Sequence, residues 1–109
     1  MKYCYQVKCT RLGLGLTQKE FAEILGMSNT TLSKFEDGQE ISSSLFKSIK
    51  YEIDNYLNRL PREKLLEARI KTQVYSLEYE TKEEKRVTLN YIAINVAKLG
   101  LLLTEKEFE

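Results

Sequence analysis

Hydrophobic residues along this chain recur mainly at intervals of three and four positions, the repeat of a helix with one apolar face. The alternation of apolar and polar residues that a half-buried strand needs is nowhere sustained. The two clearest stripes lie in the second half: Leu66, Ile70 and Leu77, and then Leu89, Ile92, Val96 and Leu99. The pattern predicts an all-α protein whose second half is a helical hairpin, closed near residues 80–82.

Capping signals mark where helices begin. Thr17 and Glu20 have the spacing of a capping box, as do residues 81 and 84, and Ser28 is placed to cap the helix that follows it. Residues 104–107 are a fourth start signal, with Phe108 as its hydrophobic staple, although the chain ends within one turn.

Pro61, the only proline, disfavours helix at Leu60 and separates two helical patterns. Four of the five glycines precede it, so tight turns are concentrated in the first half. We expect two parts: residues 1–60, a bundle of short helices, and residues 61–109, the helical hairpin.

Residues 16–38 read LTQKEFAEILGMSNTTLSKFEDG and have the features of two short helices that cross at a steep angle. Ala22 is a small residue where the helices approach, and Gly26 tolerates the positive φ of the turn. Apolar residues at suitable spacing would lock the second helix in place: Phe21, Ile24, Leu25, Leu32 and Phe35.

This segment resembles the lambda-repressor-like (Cro/CI, XRE-type) helix-turn-helix family over about residues 7–50. The resemblance rests on Arg11, on the LTQ-x-x-x-A-x-x-x-G run that ends at Gly26, and on Leu32, Phe35, Glu36 and Gly38. It implies a DNA-binding fold in which Arg11 pairs with Glu36 and ties the first helix to the end of the third. The residues support this pairing, because an acid beside an apolar residue needs a partner if it is partly buried.

The second helix of such a pair lies in the major groove of DNA. If it spans residues 29–36, then at about 100° per residue Leu32 and Phe35 face inward. A short polar face points the other way: Asn29, Thr30, Ser33 and Lys34. These side chains suit hydrogen bonds to base edges, and the resemblance places Asn29, Thr30 and Lys34 at base-reading positions.

Phosphate contacts are expected from residues around this face. Gln18 stands at a helix N-terminus, where anions are favoured, and the resemblance gives the same role to that position. The other candidates are Lys19, Ser28, Ser43 and Lys47. The loop after Gly38 departs from the family, because it lacks the usual basic residues while Asp37 and Glu40 would oppose phosphates.

The overall composition disfavours several other functions. Histidine is absent, and the two cysteines, Cys4 and Cys9, point about 140° apart on a helix, so we expect no catalytic centre, metal site or cofactor. The net charge of +1 gives no global signature of nucleic-acid binding, so any DNA affinity must be local. No secretory signal is evident, and the apolar tract 91–103 is shorter than a membrane span of ~20 residues, so we expect a soluble, cytoplasmic protein.

The hairpin is apolar on more than one face, which calls for a covering surface. We expect a homodimer interface built from one stripe: Leu89, Ile92, Val96 and Leu99. Two alternatives remain open at this point, namely that the first part of the chain covers the surplus or that a different protein does.

Three functions compete on these observations. The first is a transcriptional regulator, a repressor of phage or bacterial type, that binds double-stranded DNA as a homodimer. The second is a protein-interaction module, an antitoxin-like or phage-encoded inhibitor that uses the hairpin, with DNA binding secondary. An enzyme is the weakest, because a lone G-x-G at Gly13 and Gly15 is poor support for a nucleotide site.

Overall fold

The computed structural model describes residues 2–107, and within them it contains helices and no strand. The elements are α1 (Tyr3–Gly13), α2 (Gln18–Leu25), α3 (Asn29–Glu36), α4 (Ser43–Asn58), α5 (Arg62–Ser76), a short 3-10 turn (Leu77–Tyr79) and α6 (Lys82–Glu107). The all-α prediction, with its bundle of short helices followed by a helical hairpin, is confirmed.

Three of the four predicted helix starts carry their caps. Thr17 and Glu20 form a reciprocal capping box, with bonds of 3.1 Å and 3.0 Å between side chains and backbone amides. Ser28 accepts a bond of 3.1 Å from the Thr31 amide, and Thr81 forms the same kind of box with its partner three residues on. Ser42 caps α4 by accepting from the amide of Leu45.

The fourth predicted start is wrong, because Thr104 lies inside α6 rather than at a helix start. Its hydroxyl donates a bond of 2.8 Å to the carbonyl of Gly100, four residues earlier. A threonine hydroxyl can satisfy itself this way within a helix, so it need not interrupt one. The expected staple residue, Phe108, lies outside the described residues.

The core lies where α1 to α4 meet. Its fully buried side chains come from all four helices: Val7, Phe21, Leu32 and Ile49. Phe35 and Leu25 complete the contact between α2 and α3, as their spacing predicts. The inward face of the short helix pair therefore anchors it to the bundle and fixes which face remains outside.

Helix α5 packs along α1, so the parts of the chain before and after residue 60 share an interface. The approach is close at Gly13, where a Cβ atom would lie 2.7 Å from the Thr72 amide nitrogen and 2.8 Å from the Ala68 carbonyl oxygen. Only glycine fits there without displacing backbone. Pro61 lies between α4 and α5. The boundary predicted at this residue nevertheless assigns α1 and α5, which pack together, to different parts of the chain.

Helix α6 folds back along α5 to close the hairpin. The Asn95 side chain donates a bond of 3.1 Å to the Gln73 side chain, Thr88 donates to Glu80, and Lys106 forms an ion pair with Glu63. The half-buried residues of α6 share one face with Thr88 and Asn95: Glu84, Ile92, Leu99 and Leu102. That face is the one directed at α5.

The rest of α6 is open and largely apolar. Its exposed large hydrophobic residues are Val87, Leu89, Tyr91, Ile94, Val96, Leu101 and Leu103. By length and composition alone, the stretch Lys82–Lys106 could cross a membrane, because its most apolar 18-residue window has a mean hydropathy of 1.4 and is only 6% buried. The 91–103 tract considered in the sequence is therefore part of a longer apolar helix.

Candidate DNA-binding surface

The turn between α2 and α3 follows from one glycine and one serine. Gly26 ends α2 with φ of 69°, the left-handed conformation that favours glycine, and its amide bonds back to the last turn. Two residues later Ser28 caps α3. The turn between the two short helices is thus fixed by local chemistry as well as by the core.

Helix α3 divides into a buried side and an open side. Leu32 and Phe35 are 0% and 5% exposed, whereas Asn29, Thr30 and Lys34 are exposed and Ser33 is half-buried. The polar residues line one shallow open depression together with Gln18 from the start of α2. Five residues singled out from the sequence therefore lie on one solvent-facing surface.

Behind this surface lies a buried ion pair. The guanidinium of Arg11 donates two hydrogen bonds to the Glu36 carboxylate, at 2.8 Å and 2.9 Å, and a third to the carbonyl of Leu16 at 3.0 Å. Glu36 is 2% exposed and also accepts a bond of 3.2 Å from the side-chain amide of Gln18. The pair thereby joins α1, the loop before α2, the start of α2 and the end of α3.

Residues 10–51 match the family model described as Helix-turn-helix, a span that contains α2, α3 and their turn. The chain carries a helix-turn-helix domain of the Cro/CI/XRE type. Domains of this type are DNA-binding regulatory domains. Neither the curated proteins nor the solved structures contain a significant match to this chain.

The residues predicted to contact phosphate are more dispersed than the polar residues that line the depression on α3. Lys19 and Lys47 are exposed on α2 and α4, and Ser43 is the exposed first residue of α4. The Ser28 hydroxyl already accepts from the Thr31 amide and donates to the Thr31 hydroxyl, so it has little freedom to turn to a ligand. None of the four lines the depression.

Acidic groups also border the helix-turn-helix domain. The Glu20 carboxylate accepts hydrogen bonds from the Thr17 amide and hydroxyl, which hold the pKa of Glu20 below its usual value. Asp37 and Glu40 are exposed after α3. These exposed carboxylates would repel a polyanion that approached them.

Sequence reasoning missed the contact between Gln18 and Glu36 and the bond from Arg11 to Leu16. No periodicity or motif signals either one, because both depend on how α1 and α3 sit against the start of α2. The dimer stripe predicted on α6 is divided in the structure: Leu89 and Val96 are exposed, whereas Ile92 and Leu99 are half-buried on the face directed at α5.

Proposed function

We propose that this chain is a sequence-specific, DNA-binding transcriptional regulator, a cytoplasmic repressor of phage or bacterial type that reads the major groove with α3. The observation that carries the proposal is the division of α3, with its polar side open and its apolar side locked in the core. A helix held this rigidly can present side chains to base edges at fixed positions.

We call the open polar side of α3 the reading face; it consists of Asn29, Thr30, Ser33 and Lys34. Its side chains have chemistry that is complementary to base edges. The amide of Asn29 suits a bidentate pair with adenine, the ammonium of Lys34 suits guanine, and the methyl group of Thr30 suits the methyl of thymine. Ser33 adds a hydroxyl that accepts or donates. A face with a single charge reads bases through hydrogen bonds rather than through non-specific attraction.

Phosphate positioning is assigned to groups around this face. Gln18 lies at the N-terminus of α2, where unpaired backbone amides favour an anion, and Lys19 and Lys47 add positive charge. The near-neutral chain and its acidic neighbours imply weak binding by one domain. A homodimer that places two α3 helices about 34 Å apart would read a palindromic site and multiply this affinity.

A second candidate is a protein-interaction module, and it is favoured by the apolar face that α6 leaves open. In that case the hairpin binds a different protein and DNA binding is secondary. The two candidates differ in whether the purified chain selects a DNA sequence.

The test is selection of bound duplexes from a random-sequence library, followed by salt titrations on the selected site. Lys34→Ala is expected to change the base preferred at one position and to cost about 1–3 kcal/mol there. Lys19→Ala is expected to weaken all duplexes alike and to lower the salt slope by about one. If no sequence is enriched, or if both variants bind like the parent chain, the proposed reading face is wrong.

A further inference from the structure

The exposed hydrophobic residues of α6 fall into two rows, each with a strict seven-residue spacing. One row is Val87, Ile94 and Leu101, and the other is Leu89, Val96 and Leu103. They account for every exposed large hydrophobic residue of α6 except Tyr91. A seven-residue period keeps each row on one side of a helix that pairs with another helix in a left-handed coiled coil, and here the two rows flank the line of contact rather than form it.

Between the two rows runs a strip of smaller or polar residues at alternating intervals of four and three. Its central members are Asn90, Ala93, Ala97 and Gly100, with Arg86 and Thr104 at its ends. At 100° per residue this strip lies opposite the face that contacts α5. Small residues at its centre allow a second helix axis to come close, and the large rows can then wrap around both sides of it.

We propose that α6 pairs with the α6 of a second copy of this chain, in antiparallel orientation, about a two-fold axis that passes beside residue 95. The inference deepens the proposed function, on which it rests for its biological role, because it specifies how two copies associate. It also replaces the stripe predicted from the sequence, since Ile92 and Leu99 are directed at α5 within each copy.

The numbering of the strip supports this register. Each strip residue of one copy meets a strip residue of the other when their numbers add to 190, so Ala93 lies opposite Ala97 and Asn90 opposite Gly100. In the rows, Ile94 then lies beside Ile94 of the second copy, and Val96 beside Val96. The layers in which Ala93 lies opposite Ala97 have small residues at their centre and large ones at their edges.

Charge decides between the antiparallel and the parallel orientation. In a parallel pair, Arg86 would face Arg86 of the other copy at the end of the strip. In the antiparallel pair it faces Thr104, with Glu105 nearby, so the repulsion between the two Arg86 side chains is removed. The orientation also places the two helix-turn-helix domains on either side of the axis.

The available area is near the lower limit for a stable dimer. The six row residues are 44% to 67% exposed, and with the strip they offer an area comparable with the ~800 Å² per partner of a standard interface, of which a second helix covers only part. We therefore expect a dimer that dissociates on dilution rather than an obligate one.

A membrane is the other environment that could cover α6, and the hairpin argues against it. Helix α5 packs beside α6 and exposes charged residues such as Arg69 and Lys71 on its open side. An α6 that spanned a bilayer would have to carry these charges into hydrocarbon or break its contacts with α5.

The first experiment measures the mass of the full chain by light scattering over a range of concentrations, without DNA. The parent chain is expected to reach twice the monomer mass. Ala97→Glu is expected to halve that mass with an unchanged helical circular dichroism signal. Lys98→Glu, the matched control one residue away and outside the strip, should remain dimeric. A parent chain that stays monomeric, or an Ala97→Glu variant that stays dimeric, would overturn the proposal.

A second experiment tests the orientation by mild oxidation of single-cysteine additions. Ile94→Cys is expected to give a disulfide-linked dimer, because the two copies of this residue are neighbours across the axis. Leu101→Cys is expected to cross-link poorly with itself and efficiently with a chain that carries Val87→Cys. The reverse pattern would contradict the antiparallel register.

Two further measurements separate this inference from its rivals. Flotation of the chain with vesicles of phosphatidylcholine and phosphatidylglycerol is expected to leave it in solution, and co-flotation of a monomer would replace the dimer with a membrane partner.

Binding of Ala97→Glu to a single selected half-site tests DNA reading alone. If the half-site is bound but the parent chain forms no dimer, the inference is rejected and the proposed function stands. If a dimer forms but no DNA is bound, the proposed function is rejected and the inference stands.

Discussion

The side-chain amide of Gln18 donates a hydrogen bond of 3.2 Å to the carboxylate of Glu36, which is itself held by Arg11. A surface residue proposed to contact phosphate is thereby oriented by a buried ion pair. The side chain keeps one amide hydrogen and its carbonyl for other partners. The ion pair therefore does more than join helices, because it also fixes a group at the rim of the reading face.

We expect Gln18→Ala to weaken binding to a selected DNA site about tenfold to a hundredfold, the loss of roughly one hydrogen bond to a charged group. The free energy of unfolding should fall by about 1–2 kcal/mol, since Glu36 loses one hydrogen bond while its pair with Arg11 remains intact. Fluorescence anisotropy and urea denaturation measure the two quantities. Gln39→Ala, in the exposed loop after α3, is the control, and an equal loss in both variants would show that Gln18 has no special role.

Arg11→Met is expected to lower the free energy of unfolding by about 3–5 kcal/mol, because Glu36 would keep a buried charge without its partner. The double variant Arg11→Met with Glu36→Leu should recover part of the loss. Lys64→Met is a matched control, since its pair with Glu67 is exposed at 3.7 Å and contributes about 1 kcal/mol or less. Urea denaturation at one protein concentration compares them, and similar losses at both sites would contradict the assignment.

Gly13→Ala tests the close approach of α1 and α5. The new methyl group would press on the backbone of Thr72 and Ala68, at an expected cost of about 1–3 kcal/mol in the free energy of unfolding, measured by urea denaturation. Adding Thr72→Ala should rescue only part of this cost, because the backbone contacts remain. A neutral Gly13→Ala would mean that α5 does not pack against α1 as described.

The capping box of α2 makes a prediction about pH. Because hydrogen bonds from Thr17 lower the pKa of Glu20, its ionised form stabilises the fold above its ordinary pKa of about 4.5. This contribution is lost as the pH falls through the lowered pKa of the folded state. An NMR titration should place the pKa of Glu20 below 4.5, and Thr17→Ala should return it towards that value. The same titration curve in both proteins would rule out the box as the cause.

The elements that could be predicted from the sequence are those set by local chemistry. Caps at Thr17 and Ser28 and the turn at Gly26 depend on a few neighbouring residues, so the limits of the two short helices could be predicted from the sequence. The two neighbouring apolar faces of α6 could be recognised as well, but not which of them contacts α5. The face that contacts α5 depends on how α5 packs along α1. That packing requires the glycine at position 13, which a pattern of apolar residues does not identify.

The exposure of the polar side of α3 was predictable, because burial of Leu32 and Phe35 turns Asn29, Thr30 and Lys34 outward. The orientation of Gln18 was not, since it needs three helices to meet at Glu36. Local periodicity identifies which side of a helix is polar, but contacts between separate elements decide how each polar group is held.

Cys9 shows what the contact between α1 and α5 protects. The thiol is fully buried, burial raises its pKa to about 11, and it lines the same cleft as Thr72 and Ser76 of α5. A fragment cut after residue 60 would uncover this sulfur and return it towards the reactivity of a free cysteine. Disulfide-linked pairs of such a fragment could then be mistaken for a dimer held by non-covalent contacts. A fragment of residues 1–60 should therefore carry Cys9→Ser or be kept with a reductant.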